Sequence, residues 1–421
     1  MILTSLDEVR PGMTLGVGVH NPEGQTLLGP DVPLTAAYIE RLDALGCADV
    51  WIDDEDTRDI PFDHLLSEET RLTAAAQVQR IFALATREGP ALASVALHDV
   101  QPLLRRFQRA IKDDPAIEHL LEVADAIVRE ATSRQVLLGP GTLRSHDTAA
   151  LHHGVDVAAT AAVIGRLIGY DAQTLKKLVV GCLLHDVGKI FAEDAGLAWH
   201  ARHDPDAELR RREHPVFAYL MLSQSPTLGL QAAHVAYQHH ERQDGTGYPR
   251  RLKGTNRIRR GPEIHQPGLI TPLAEIAALA DFYDSRSTDR SYRRARPHDQ
   301  VWRMVQSGVG THFNREVAEL FLSILPPYPL GTRVVVTSGR WHRHTGVVAR
   351  LDRRAMDRPV IRILADERGQ RLEAFELDLT RDQAAISGLG SHVQAPRLTP
   401  AYGEFPGDDV FEDSRPAAPT A

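Results

Sequence analysis

The spacing of apolar positions changes its period twice along the chain. Over the first 55 residues it begins as a strand pattern, with Met13-Thr14-Leu15-Gly16-Val17-Gly18-Val19 alternating, a turn at Asn21-Pro22-Glu23-Gly24, then Thr26-Leu27-Leu28. Helical spacing then predicts a short amphipathic helix from about Thr35 to Leu45, with Gly46 as the residue that ends it, and Val50-Trp51-Ile52 returns as a strand. A small mixed α/β unit over 1–55 results, and nothing in it carries chemistry. From 65 to 135 the period is helical, punctuated by Pro90 and Pro115, with Leu120, Leu121, Ala124, Ile127 and Val128 at steps of three and four; this reads as a helical connector. Gly139-Pro140-Gly141 marks a boundary, and a helical domain runs from 143 to about 325.

A second switch follows Pro326-Pro327-Tyr328-Pro329. Short β-rich segments at Arg333-Val334-Val335-Val336-Thr337, Gly346-Val347-Val348-Ala349 and Val360-Ile361-Arg362-Ile363-Leu364 predict a small barrel or sheet over 326–385. The stretch 386–421, rich in Pro, Gly, Asp and Glu, has too little apolar surface to offset chain entropy and is expected to be disordered.

Composition narrows the class without selecting one. With 421 residues, 43% hydrophobic and 25% charged, the chain has room for two or three ordinary globular domains. A net charge of −8 and no concentrated basic stripe argue against a partner such as duplex nucleic acid. Only Cys47 and Cys182 are present, too few for a disulfide framework or a cysteine-based zinc site. The first residues lack a secretory pattern and no apolar run is long enough to span a bilayer, so no membrane association is expected and the reading is cytoplasmic.

Candidate chemistry concentrates in the central helices. Val157, Ala161, Ile164 and Ile168 share one helix face and His153 lies one turn before them, while His152, rotated about 100° away, reads as a surface residue. Alone, His153 is better explained as a hydrogen-bonded core histidine. The next helix is expected to carry Leu178, Cys182, His185, Asp186 and Lys189, with Gly188 as a close-approach point that ends it. An adjacent His and Asp offer nitrogen and carboxylate oxygen to one metal, or let the carboxylate bridge two. His214 stands before Pro215 at a helix start, and Asp281 and Asp284 share a face of an alanine-rich helix. Finally His239-His240-Glu241 runs straight into the glycine-rich loop Asp244-Gly245-Thr246-Gly247-Tyr248-Pro249. Five helices that each aim a His or Asp inward are how bundles build dinuclear sites for mixed nitrogen and oxygen ligation.

These two clusters, His185-Asp186-Val187-Gly188-Lys189 and the 239–249 segment, together with Asp289-Arg290-Ser291-Tyr292-Arg293, resemble the signatures of the HD-GYP family, a branch of the HD-domain metal-dependent phosphohydrolases. The resemblance covers roughly 143–325. It implies a mainly α fold: an HD-type helical bundle, here flanked by the small N-terminal α/β unit and the small C-terminal β domain. It also implies hydrolysis of cyclic di-GMP to linear pGpG or to GMP at two divalent metal ions, iron or manganese by donor set. By motif position the metal ligands would be His153, His185, Asp186, His214, His239, His240 and Asp281, with Asp186 bridging and Asp284 outside the ligand shell or added to it. Lys189 would stand beside the attacked phosphate with Asp186 in the catalytic role. Arg290 and Arg293 would hold phosphate oxygens, and Gly247, Tyr248 and Pro249 would shape the substrate edge.

The chain departs from the family pattern at several points. Ala149 stands where members with three metals carry Glu, which favours two metals. Ile190-Phe191-Ala192-Glu193-Asp194 replaces a proline-containing stretch, and Ala218 replaces a glycine. About ten extra residues between Gly254 and Asp281, including Arg257, Arg259, Arg260 and Pro262, predict a longer loop near the substrate entrance. Two alternatives stay open at this level: a non-hydrolytic adaptor that contacts a protein partner through the Gly-Tyr-Pro loop, and a hydrolase of another cyclic dinucleotide. The N-terminal unit could sense, brace the helices or form a homodimer.

Overall fold

Helix formation in the centre of the chain follows from how completely its segments are apolar. The computed structural model describes residues 1–20, 26–45, 47, 49–61, 65–87, 105, 107, 114–133, 149–192, 211–223, 225, 227–260, 266–288 and 295–389. The expected turn at 21–24, Gly46, Pro90, the 139–141 boundary, Glu193, Asp194, Pro262, Arg290, Arg293 and the stretch from 390 onward lie outside these residues.

In the N-terminal unit a three-stranded antiparallel sheet forms in the order β1 (Ile2–Ser5), β5 (Asp49–Asp53), β2 (Thr14–Leu15). Helix α1 (Ala36–Ala44) covers it, with Thr35 accepting from the Tyr38 amide as N-cap. Leu15, Leu34, Leu42, Val50 and Ile52 are buried between them. The alternating 13–19 segment is not one strand. It breaks after Leu15 and resumes as β3 (Val19–His20), which pairs with β4 (Thr26–Leu28) in a separate ribbon. Gly16 and Gly18 have no side chains to hold a continuous pleat.

The bundle begins earlier than the expected connector implied. Helices α2 (Glu68–Arg87) and α3 (Pro115–Ser133) share one core with α4 (Ala149–Ile168) and α5 (Ala172–Leu183). Arg71 of α2 and Asp156 of α4 form a buried ion pair. Pro115 opens α3, where its missing amide costs nothing. On α3 the buried residues recur at three and four, whereas α4 is buried all round from His152 to Gly165; it is the central helix of the bundle. Around it stand α7 (His214–Leu222), α8 (Leu230–Gln238), α9 (Pro272–Ser287), α10 (His298–Ser307) and α11 (Arg315–Leu322), with the single-turn α6 (Lys189–Ala192) beside α7. Among the described residues no helix is long and apolar enough to cross a membrane.

The C-terminal unit is an antiparallel five-stranded sheet in the order β10 (Ile386–Gly388), β6 (Arg333–Val336), β7 (Thr345–Arg350), β8 (Val360–Ala365), β9 (Arg371–Asp378). Its last strand lies past residue 385, where the expected β unit stops. Strand periodicity divides β7 between two cores. Val348 joins Val334, Val336, Ile361 and Ile363 on one face, while Val347 and Ala349 pack against Ile60 and Ile2 of the N-terminal unit on the other. Ion pairs Arg333–Glu8, Arg362–Asp59 and Arg371–Asp56 rim that contact, at 2.6, 2.5 and 2.6 Å. The mainly α bundle thus carries a two-part β module made from opposite ends of the chain.

Candidate metal centre

Three of the expected ligand segments sit at helix termini. Helix α5 stops at Leu183, so His185, Asp186 and Gly188 lie in the turn that follows it and Lys189 opens α6; the expected single helix through Lys189 is interrupted. The physical reason is Gly188. A Cβ there would lie 2.0 Å from the His214 carbonyl oxygen and 2.7 Å from the Ala218 nitrogen, so only glycine lets the turn settle against the start of α7. His214 is the first residue of α7, and His239 caps α8 with His240 next.

The three helix-end histidines use one device. Each places its Nδ1 on the carbonyl three residues back: His185 on Cys182 at 2.6 Å, His214 on Arg211 at 2.7 Å, His239 on Ala236 at 2.8 Å. A carbonyl can only accept, so Nδ1 carries the proton and Nε2 presents a lone pair to the centre. His153, on α4, obtains the same tautomer from a carboxylate, its Nδ1 2.6 Å from Asp284 Oδ2. Asp281, one turn before Asp284 on α9, faces the other side of that ring, Oδ1 3.1 Å from His153 Nε2. His152, expected at the surface, is buried as well. The nearly all-round burial of α4 removes the solvent face that its angular position predicted.

The donor atoms gather as two triads, His153 with His185 and Asp281, and His214 with His239 and His240, each with its ligand atoms within 4.8 Å of one another, and His185, Asp186 and His239 form a third such group that joins them. Asp186 stands between them. Its Oδ2 is 3.4 Å from His185 Nε2 and 3.8 Å from His153 Nε2; its Oδ1 is 3.4 Å from His214 Nε2 and 4.0 Å from His239 Nε2. One carboxylate oxygen therefore faces each triad. Lys189 Nζ is 2.6 Å from Asp186 Oδ2.

The electrostatics suit cations. Burial pushes His214 down to about 4 and His239 to about 3, and lowers His185 and His240 also, so these imidazoles stay neutral. Burial works to raise Asp186, but His185, Lys189, His214 and His153 outweigh it and hold the carboxyl well below its ordinary range. Asp281 is likewise held well below its ordinary range, against burial, by its contact with His153. Neutral imidazoles beside ionised carboxylates are the protonation state that divalent metals bind. His185 Nε2 is buried with no hydrogen-bond partner among the described residues, a lone pair aimed at the centre. The residues fit a mixed nitrogen and oxygen metal site.

The Gly-Tyr-Pro loop is fastened to this centre from several sides. Asp244 accepts from the Thr246 amide and hydroxyl at 2.9 and 2.6 Å, closing a tight turn. Gly247 lies so close to the backbone of 240–242 that a Cβ would come within 2.5 Å of the His240 oxygen. The Tyr248 ring stacks on His240, centroids 4.6 Å apart, and Tyr248-Pro249 is cis. Glu241, given no separate role by sequence reasoning, is buried and accepts from the Arg250 and Leu252 amides at 2.7 and 2.8 Å, closing the loop's far end. Its place directly after two ligands was the signal.

Two arginines of the inserted segment, Arg259 and Arg260, are fastened within the fold. Arg259 is buried against Ile270 O and Glu275, and Arg260 donates to Ile168 O at 2.8 Å. Ile168 ends α4, and His153 lies 15 residues earlier, about 22 Å away at 1.5 Å per residue.

Comparison with known proteins agrees with this geometry. Residues 115–317 match the HD-domain family model. The chain is 27% identical over 352 residues to a Pseudomonas aeruginosa protein named as a cyclic di-GMP phosphodiesterase, covering 79% of this chain and 77% of that one. It is 34% identical over 162 residues to a Thermotoga maritima protein of the same name, covering 38% and 40% of the two chains. It is also 28% identical over 180 residues to 3'3'-cGAMP-specific phosphodiesterase 2 of Vibrio cholerae, covering 42% and 32%. Against the last two the chain spans less than half of the relative's length. The HD pair and the Gly-Tyr-Pro segment, far apart in sequence, meet at one centre, and residues 115–317, which hold both, match the HD-domain family.

Proposed function

We propose that the chain is a metal-dependent phosphodiesterase that hydrolyses cyclic di-GMP at a two-metal centre. The observation that carries this reading is Asp186, one oxygen of which faces the His153–His185–Asp281 triad and the other the His214–His239–His240 triad. His153, His185 and Asp281 would hold one divalent cation, and His214, His239 and His240 the other, with Asp186 shared between them. Nitrogen-rich ligation with carboxylates suits iron or manganese. Bound there, a pair of cations supplies an acidified water and stabilises charge on a phosphoryl oxygen.

The chain's own residues supply the rest. Carbonyl and carboxylate partners at Nδ1 hold four imidazoles in the ligating tautomer, so no reorganisation is needed when metal arrives. Lys189, held at Asp186, places an ammonium beside the centre, where it neutralises charge on a phosphate or on the departing ribose oxygen. Tyr248 and Pro249 form the wall next to His240, and Arg290 and Arg293 are proposed to hold phosphate oxygens. Relatives named for cyclic di-GMP and for 3'3'-cGAMP support a cyclic dinucleotide substrate, and those named for cyclic di-GMP favour two guanines.

The test is turnover of cyclic di-GMP by metal-loaded protein, with products separated by chromatography. Linear pGpG or GMP is expected, and Lys189→Ala is expected to lower kcat at least about a hundredfold, the usual loss for one transition-state electrostatic contact. Binding of cyclic di-GMP without turnover by a fully metal-loaded protein would favour an adaptor instead.

A further inference from the structure

Arg212 lies two residues before His214, in the turn leading into α7, and is exposed. Its guanidinium carbon stands over the Tyr248 ring, 5.4 Å from the centroid. The same ring stacks on His240 at 4.6 Å and 24°. The loop tyrosine therefore contacts both a ligand of the second triad and an arginine at the rim. The tyrosine has little freedom to move, because its amide donates to His240 O at 3.2 Å and Gly247 packs on the backbone of 240–242.

We propose that Arg212 reads a guanine base of the substrate and so sets a preference for guanine over adenine at this centre. The inference rests on the cyclic dinucleotide reading above. A dinucleotide with one phosphate at the metals carries its base on the adjoining ribose, within reach of the planar surfaces next to that phosphate. Arg212 is such a surface: its guanidinium lies over an aromatic ring, which favours a cation there, and guanidinium planes stack on bases. Its fork of N–H donors matches the O6 and N7 acceptors of guanine. Adenine places an N6 donor where guanine has O6, so the same fork meets a donor and loses one of two bonds. Lysine could keep the charge over Tyr248 but has no planar fork.

The experiment compares kcat/KM for cyclic di-GMP, 3'3'-cGAMP and cyclic di-AMP in the metal-loaded 421-residue chain and in its Arg212→Lys and Arg212→Met variants. The wild type is expected to prefer cyclic di-GMP. Both variants should lower that preference over cyclic di-AMP about tenfold, through KM and with Lys no better than Met, the discrimination a bidentate arginine-guanine pair supplies. Equal loss on all three substrates, rescue by Lys, or an unchanged preference would overturn the inference, assigning Arg212 only to bracing Tyr248. If the wild type neither hydrolyses nor, by calorimetry, binds any of the three, the dinucleotide reading itself fails and the inference with it.

Discussion

At the scale of single residues, the centre depends on which nitrogen of each histidine carries a proton. Asp284 decides this for His153, so Asp284→Ala should weaken metal binding roughly 10- to 100-fold while leaving all seven candidate ligands in place. Competition with a graded series of chelators measures it; unchanged affinity would mean that the carboxylate does not orient the ring. A second buried histidine, His298, lies away from the ligands, its Nδ1 3.3 Å from Tyr283 Oη, and burial lowers it to about 4. The unfolded chain takes up this proton near the ordinary value of about 6.5, before the folded chain does. Its contribution to stability is therefore complete above that value and is lost as pH falls towards 4, on the order of a few kcal/mol. His298→Phe should make urea midpoints fall less steeply over that window. His153, Asp281 and Asp284 were legible in sequence because helical spacing fixes a face. The place of His152 was not, because burial on α4 depends on how many helices surround it, which its own period does not reveal. Nor did the run preceding His214 point to Arg212, since its neighbour Tyr248 comes from a loop 36 residues later.

Among the elements, the turn after α5 and the Gly-Tyr-Pro loop position the ligands that helices alone do not. Gly188→Ala would drive a methyl into the His214 carbonyl, so the α7 start must shift. A loss of roughly 1–3 kcal/mol in stability is expected, as for other overpacked sites, together with selective weakening of the metal at the His214 triad. Calorimetry and metal analysis of the variant check both. Glu241→Ala leaves the Arg250 and Leu252 amides without their acceptor, and about 1–3 kcal/mol per buried group is at stake. The expected outcome is faster amide exchange confined to 242–252, with the bundle unchanged. The sequence hid the end of α5 because Leu184 and Val187, both buried, continue an apolar pattern straight through the turn. It likewise counted Arg259 and Arg260 towards an entrance loop, because exposed arginines and arginines that fasten backbone carbonyls are alike in sequence.

For the whole molecule, the notable feature is that the two flanking units, read separately in sequence, pack together: Arg362 reaches the Asp56 carbonyl across 306 residues. No local pattern reports a contact that distant, whereas the mainly α bundle was legible because its helical period and its ligands lie on the same faces. Val347, buried 1% exposed against Ile60, is the point to break. Val347→Asp should open the junction to limited proteolysis yet leave the metal content of the bundle intact; its outlying ion pairs, mostly exposed, contribute little by themselves. The central claim concerns one carboxylate shared by two metal sites, and metal stoichiometry tests it most directly. By mass spectrometry of anaerobically prepared protein, the account predicts about two first-row metal ions per chain, one retained in His214→Ala, and loss of both tight sites in Asp186→Ala. Two metals retained in Asp186→Ala, or a single metal in the wild type, would contradict it.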